Sequence, residues 1–395
     1  MASVYPEVHE KFVSLFNSEP VIVRSPGRIN LIGEHTDYNG GFVMPAAINY
    51  DTVFAIAPAT DEVSEVYSVK YDERFEVIPA AVVPVESPKW ANYLLGVIRQ
   101  LQLRGLHVAP FKCVFGGNVP LGAGLSSSAS VECGFVFALN ELNSFELPRI
   151  EMIHIAQWAE HNFAGVKCGI MDQFASMMGR KGHVIVLDCR SLEFTYSPLR
   201  LPDHDIVLCD THVKHSLVDS QYNQRRLQCE AGVNLLKKYH PDVTLLRDVS
   251  AEMLRRHENE FEQKVFDRCL YVVQEIRRVE EAASDLAADR LQAFGEKMYQ
   301  THDGLSRLYE VSCKELDFLV SQAKSSNVVG ARMMGGGFGG CTINIVSRNE
   351  TEKFIEKTGR AYKQEFGIDM GSYVVSIEDG TSVVNSNHVE HMRVE

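Results

Sequence analysis

The sequence predicts an α+β protein of two domains with a functional site in the cleft between them. Three observations lead there. The chain has 395 residues, more than one ordinary domain holds. Strand-like and helix-like segments occur in both halves. Around residues 200–204 the chain turns polar, with Pro198 and Pro202 close by, which places a boundary between residues 1–200 and 201–395.

In the first half, residues 21–24, 52–57 and 111–115 are short, apolar and largely β-branched or aromatic, and read as strands. Residues 90–103 read as a helix, as do 125–139, where Val131, Phe135, Ala138 and Leu139 share a face. Residues 150–163 repeat apolar positions at helical spacing, and Gly165 is a stop signal. Residues 183–188 and 205–210 read as strands. The second half opens with two long charged helical stretches, 221–239 and 261–283. It closes with strand-like runs at 341–346 and 373–377 around another helix.

The formal net charge of −13 argues against nucleic acid as a partner, since phosphate-backbone binding needs clustered Lys and Arg. It leaves room for one phosphorylated ligand held by backbone N–H groups. No apolar run approaches the ~18 residues of a membrane helix, and the first residues resemble neither a signal nor a transit peptide. The nine cysteines are scattered without a C-x-x-C pair, which suits free thiols in a reducing, cytoplasmic setting.

Four segments carry chemistry. Residues 116–130, GGNVPLGAGLSSSAS, follow a strand and enter a helix, so glycines and three serines stand where helix N–H groups favour an anion. The chain has no Walker A loop and none of the protein-kinase motifs. Residues 24–41, RSPGRINLIGEHTDYNGG, display Arg24, Arg28, Glu34, His35, Asp37 and Tyr38 between glycines. That set suits a polyhydroxylated ligand, because carboxylates accept paired hydroxyl bonds; the alternative is a solvated hairpin around Asn39 and Gly40. Residues 159–179 place Glu160 near a helix end and Asp172 in apolar surroundings, either as a working carboxylate or as the cap of a helix starting near Gln173. Residues 335–340, GGGFGG, precede a strand and therefore lack the context of a dinucleotide fingerprint; a flexible loop over a ligand is expected. His388 and His391 sit in a polar tail and receive no role.

Together these segments resemble the GHMP kinases, whose phosphate loop P-x-x-x-G-L-x-S-S-A is matched from Pro120 to Ala129. Within that superfamily the resemblance is closest to the galactokinase family, through G-R-x-N-L-I-G-E-H-T-D-Y from Gly27 to Tyr38, CGIMDQF, PKWANYLLG and the late glycine loop. It covers nearly the whole chain. It implies a two-domain fold with a left-handed β-α-β crossover in the N-terminal domain and a ferredoxin-like C-terminal domain. The implied activity is transfer of the γ-phosphoryl group of ATP to the anomeric hydroxyl of galactose, with Mg2+. Asp172 and Arg28 would be catalytic. Glu34, His35, Thr36, Asp37, Gly169, Asp172 and Tyr222 would hold the sugar. Gly122, Ala123, Gly124, Leu125, Ser126, Ser127 and Ser128 would wrap the ATP phosphates, with Trp90 near adenine and Ser128 and Glu160 on the metal. No obligate protein partner is implied. Competing expectations are a kinase for N-acetylgalactosamine or arabinose, and a non-catalytic sugar sensor. The intact serine loop, Arg28 and Asp172 argue against the sensor.

Overall fold

The computed structural model describes residues 4–213 and 218–384. His388 and His391 lie outside them. The first lobe begins with α1 (Tyr5–Phe16), β1 (Val21–Asn30), β2 (Phe42–Val43), β3 (Pro45–Pro58), β4 (Ser64–Ser68), β5 (Glu73–Val77), α2 (Ala91–Leu103) and β6 (Phe111–Gly117). Its main sheet runs β1-β3-β6-β4-β5. β4 and β6 pair in parallel, and the crossover between them passes through β5 and α2.

β1 runs well past the residues that composition marks as strand. Pro26 and Gly27 do not end it, because its register on β3 slips there: Pro26 faces Asp51, whereas Arg28 faces Ala47. A slip of this kind re-aims the side chains that follow, and the first of them is Arg28. Behind the sheet pack α3 (Ser127–Asn143), α4 (Arg149–Ala159) and α5 (Met171–Met178), with Phe54, Phe111, Phe135, Ile153 and Phe174 in one core. α4 passes into a single π-helical turn, Glu160–Ala164, which Gly165 ends at φ 84°. α5 starts at Met171 after Ile170, so Asp172 lies inside the first turn and does not cap it. β7 (His183–Asp188) and β8 (Phe194–Pro198) join β2 in a small second sheet.

The second lobe contains β9 (His204–Asp210), α6 (Val218–Leu236), α7 (Ala251–Arg256), α8 (Gln263–Ala287), α9 (Leu291–Arg307), α10 (Lys314–Ser325), β10 (Gly330–Met333), β11 (Cys341–Ser347), α11 (Thr351–Phe366) and β12 (Gly371–Val375). Its sheet order β10-β11-β9-β12, antiparallel throughout, is that of a ferredoxin-like β-α-β-β-α-β unit. The five helices α6 to α10 fill its first crossover. The chain then returns to the first lobe: β13 (Ser382–Val383) pairs with β1, and the Thr381 hydroxyl lies 2.9 Å from that of Ser25.

The lobes share a core. Ile29, Met44 and Ile48 of the first pack with Leu208, Val279 and Ile343 of the second. Arg332, fully buried, adds polar stitching. Its guanidinium donates to the carbonyls of Leu31 (2.8 Å), Met333 (2.6 Å) and Asn30, and to Glu34 Oε1 (3.0 Å). Glu275 of α8 holds the loop after β1. It accepts from the Gly33 N–H and the Thr301 hydroxyl, each at 3.0 Å, and pairs with Arg278. Among the described residues no helix is long and apolar enough to cross a membrane. All nine cysteines are free.

Removing this buried carboxylate strands three donors. Glu275→Ala should cost about 3–5 kcal/mol of stability, the range for breaking a buried ion pair. Arg277→Ala, at an exposed pair with Glu281 on the same helix, should leave the urea midpoint where it is. Equilibrium urea titrations of both variants measure the difference.

Candidate active site

A cleft of about 640 Å3 opens between the lobes, and four segments distant in sequence line it. Arg28, Glu34, His35 and Asp37 come from the end of β1 and the loop beyond. Gly122, Gly124, Leu125, Ser126, Ser127 and Ser128 come from the turn into α3, Glu160 and Asp172 from the π turn and α5, and residues 335–340 from the β10–β11 connection. Tyr222 of α6 and Trp90 also face it.

At its centre Arg28 and Asp172 form a two-point ion pair: Nε to Oδ1 and Nη2 to Oδ2, both 2.8 Å. The remaining Arg28 nitrogen, Nη1, donates to the Gly124 carbonyl at 2.5 Å, and the Ser126 hydroxyl donates to Asp172 Oδ2. The phosphate-type loop, the strand slip and α5 thus meet at one carboxylate. A carboxylate offers about four lone-pair directions. Three are taken here, and one stays open to the cleft.

The next wall is acidic and aromatic. Glu34, 2% exposed, accepts from Arg332 and from the Gly335 N–H (2.9 Å), which ties the glycine loop of the second lobe to the first. Burial, then the neighbouring Asp172 and Glu34 charges, push the Asp37 carboxyl up to about 7. Gly169 is glycine for a steric reason: a Cβ there would fall 1.9 Å from Asp37 Oδ2. His35 stands at φ 62°, buried, with the Tyr222 ring centroid 5.2 Å from its own. Burial first, with Arg225 nearby, lowers its pKa to about 3, so the imidazole is neutral. The Thr36 side chain does not reach the cleft. Its hydroxyl is fully buried against the Gly33 and Phe42 carbonyls, at 2.9 and 2.6 Å.

On the opposite side the Ser128 hydroxyl donates to Glu160 Oε1 at 2.8 Å, and Gln173 Nε2 donates to Oε2 at 2.5 Å. Burial, then the Asp172 charge, raise the Glu160 carboxyl to about 7; the groups acting most strongly on it include no cation. One hydroxyl beside one buried carboxylate fits a small divalent cation that keeps waters and takes phosphate oxygens for its other ligands. No cluster of three His, Cys, Asp or Glu occurs among the described residues to cage a metal unaided. Ser126 precedes α3 without capping it, so no side chain closes the N–H groups of its first turn. Ala123 lies buried beneath the turn, against Gly340. Trp90 donates from Nε1 to Glu73 Oε2 (2.8 Å) and leans on Phe115 at the far end of the cleft.

Sequence reasoning missed Arg332, Gln173 and Tyr309. Arg332 sits three residues before Gly335 of the glycine loop and Gln173 directly follows Asp172, so adjacency was a usable signal. Tyr309 carried none.

Three comparisons bear on this geometry. A family model described as the galactokinase galactose-binding signature matches residues 10–58, the model of the GHMP kinase N-terminal domain matches 92–180, and that of the GHMP kinase C-terminal region matches 282–364. A galactokinase of Roseiflexus sp. (strain RS-1) is 38% identical over 383 residues, covering 96% of this chain and 97% of the relative. The chain belongs to the galactokinase family. A second galactokinase, from Clostridium perfringens (strain SM101 / Type A), is 40% identical over 375 residues, 93% of this chain and 97% of its own. The crystal structure of Lactococcus lactis galactokinase complexed with galactose superposes with a TM-score of 0.92 at 33% identity, covering 97% of this chain and all of that one. A Methanococcus jannaschii mevalonate kinase shares the fold alone, at TM-score 0.64 and 15% identity over 92% of this chain and 99% of that one. Galactokinase-family membership and the two-domain GHMP fold therefore stand together.

Asp37 gives the site a measurable cost. Its carboxyl titrates near 7 in the fold and near 3.8 in the free chain. Between those values the folded state holds a proton that the unfolded state has released. Stability therefore falls as pH rises from about 4 to 7, and the loss is complete above. Asp37→Asn should raise the Tm of the ligand-free protein at pH 8 by about 2 °C or more, with a clearly smaller gain at pH 5 and almost none at pH 3. Thermal melts at the three pH values check this.

Proposed function

We infer that this chain is a galactokinase: it transfers the γ-phosphoryl group of ATP to the C1 hydroxyl of α-D-galactose, giving galactose 1-phosphate and ADP, the entry step of galactose metabolism. The Arg28–Asp172 pair carries the reading. It stands where the serine loop and the galactose-signature loop converge, with one carboxylate direction open to the cleft.

In this reading Glu34, His35, Asp37 and Tyr222 surround the sugar, and Gly169 makes room for the Asp37 carboxylate. Thr36 contributes by fixing the loop from beneath, as its bonds to Gly33 and Phe42 support. Residues 122–128 and the start of α3 bind the ATP phosphates through N–H groups and hydroxyls, and Trp90 flanks the adenine end. Asp172 orients the C1 hydroxyl and receives its proton as the bond to phosphorus forms. Arg28 neutralises charge on the phosphoryl oxygens, which matters more in phosphoryl transfer than covalent help. Ser128 and Glu160 would hold Mg2+, which supplies charge neutralisation at the phosphates. The division into residues 1–200 and 201–395 belongs to the same proposal. The start of the second lobe's sheet at His204 supports it, with residues 376–384 reaching back as an arm onto the first lobe. Nine free thiols support a reducing, cytoplasmic setting.

Release of ADP with a panel of free sugars tests the reading. Galactose should exceed glucose in kcat/KM by as much as ~10⁴-fold, because a site built around one hydroxyl strands its own polar groups on the epimer. Asp172→Asn should still bind galactose while kcat falls about 10²–10⁴-fold. Equal use of both sugars, or a variant retaining more than about a tenth of kcat, would overturn it.

Glu160 sets the metal dependence. Glu160→Ala should raise the Mg2+ concentration for half-maximal activity and weaken Mn2+ binding to the ATP complex, followed by electron spin resonance. Unchanged metal affinity in the folded variant would remove Glu160 from the metal site.

A further inference from the structure

Behind the sugar-facing wall runs a buried chain of hydrogen bonds that phosphoryl transfer leaves unused. His35 Nδ1 lies 2.8 Å from the Tyr38 hydroxyl, which lies 2.8 Å from the Tyr309 hydroxyl, which lies 3.2 Å from Cys229 Sγ. The links come from the loop after β1, from the segment after α9 and from α6. The His35 ring is packed between Tyr222 and Tyr309, with centroids at 5.2 and 4.9 Å. Its other nitrogen, Nε2, is buried without a hydrogen-bond partner, on a residue that lines the cleft.

Such a chain has two self-consistent polarities, because each hydroxyl donates one proton. In one, the Cys229 thiol donates to Tyr309, Tyr309 to Tyr38 and Tyr38 to Nδ1, so the ring's hydrogen sits on Nε2. In the other every arrow reverses and Nε2 is a bare lone pair. Relative acid and base strength selects the first. The imidazole lone pair is the strongest base in the chain, and sulfur is both a weak donor and a weak acceptor. Only the first polarity gives the phenolic proton to nitrogen instead of spending it on sulfur.

We propose that Tyr38 and Tyr309 are positioning residues that lock His35 as the Nε2–H tautomer, so that it donates a hydrogen bond to a sugar oxygen while the neighbouring carboxylates accept. This rests on the reading of the cleft as a galactose site. The wall then reads the sugar with both polarities, and an unpaired buried donor makes a misplaced oxygen costly.

The test uses the full-length protein with nitrogen-15-labelled histidine, and His35→Ala identifies the His35 signals. The expected spectrum shows Nδ1 unprotonated and Nε2 protonated, with and without galactose. Tyr38→Phe should introduce the Nδ1–H form and raise KM for galactose up to about tenfold, with kcat and KM for ATP changing less than about twofold. An Nδ1–H spectrum in the wild type, or an unchanged tautomer in Tyr38→Phe, would overturn the proposal. The wild-type spectrum decides alone if that variant does not fold. A wild-type KM for galactose in His35→Ala would overturn the sugar-site reading and the donor role with it. A raised KM there beside an Nδ1–H wild-type spectrum would overturn the tautomer and leave the sugar site standing.

Discussion

Four carboxyl groups, Glu34, Asp37, Glu160 and Asp172, line one cleft with a fifth, Glu132, buried behind them, and two buried guanidinium groups pair with two of the four. That imbalance constrains everything around it. Arg28 is committed to Asp172 and Arg332 to Glu34. Asp37 and Glu160 have no arginine of their own, and both are pushed up to about 7. Glu132, fully buried behind Glu160 and Gln173, is also pushed well up by burial and by the Glu160 charge. A cleft with this charge deficit favours ligands that bring hydroxyl protons and cations.

The fold delivers those groups through local irregularities. The register slip in β1 aims Arg28, the π turn after α4 places Glu160, and the uncapped start of α3 leaves helix N–H groups for phosphate. Each departure would be unfavourable alone, and the shared core beneath holds all of them. The glycine loop is held too: Gly335 is bonded to Glu34, and a Cβ on it would fall 3.3 Å from the Gly124 backbone. The flexible flap expected from its composition is therefore tethered in this structure.

The sequence was legible where one residue type leaves few options. Glycines and serines before an amphipathic helix marked the phosphate loop, and Asp172 stood out in an apolar stretch. The reading of Asp172 as a helix cap failed because α5 begins one residue before it and Arg28 claims the carboxylate. The hairpin reading of residues 24–41 failed because its first third is the continuation of β1 and Asp37–Asn39 is a 3-10 turn. α9 and α10 were not singled out, although Phe294, Met298 and Leu305 keep helical spacing, because charged residues dilute the pattern. Tyr309 was invisible, and Arg332 was marked only by its nearness to the glycine loop, because their importance is tertiary: it lies in hydroxyls and carbonyls that the chain brings from about 270 and 300 residues away.

The arm after β12 bears on how such a chain is made. β13 covers β1, Thr381 meets Ser25 and Ser176, and the Val384 N–H bonds the Ile22 carbonyl. A ribosome emits β1 more than three hundred residues before its edge partner. Throughout that interval the first sheet carries an unpaired edge, a template for pairing with other chains. Lobe-by-lobe folding during synthesis, the usual route for multidomain proteins, therefore cannot finish the first lobe here. Its closure must wait for the second, and a nascent chain stalled in between would present β1 to chaperones and to its own neighbours.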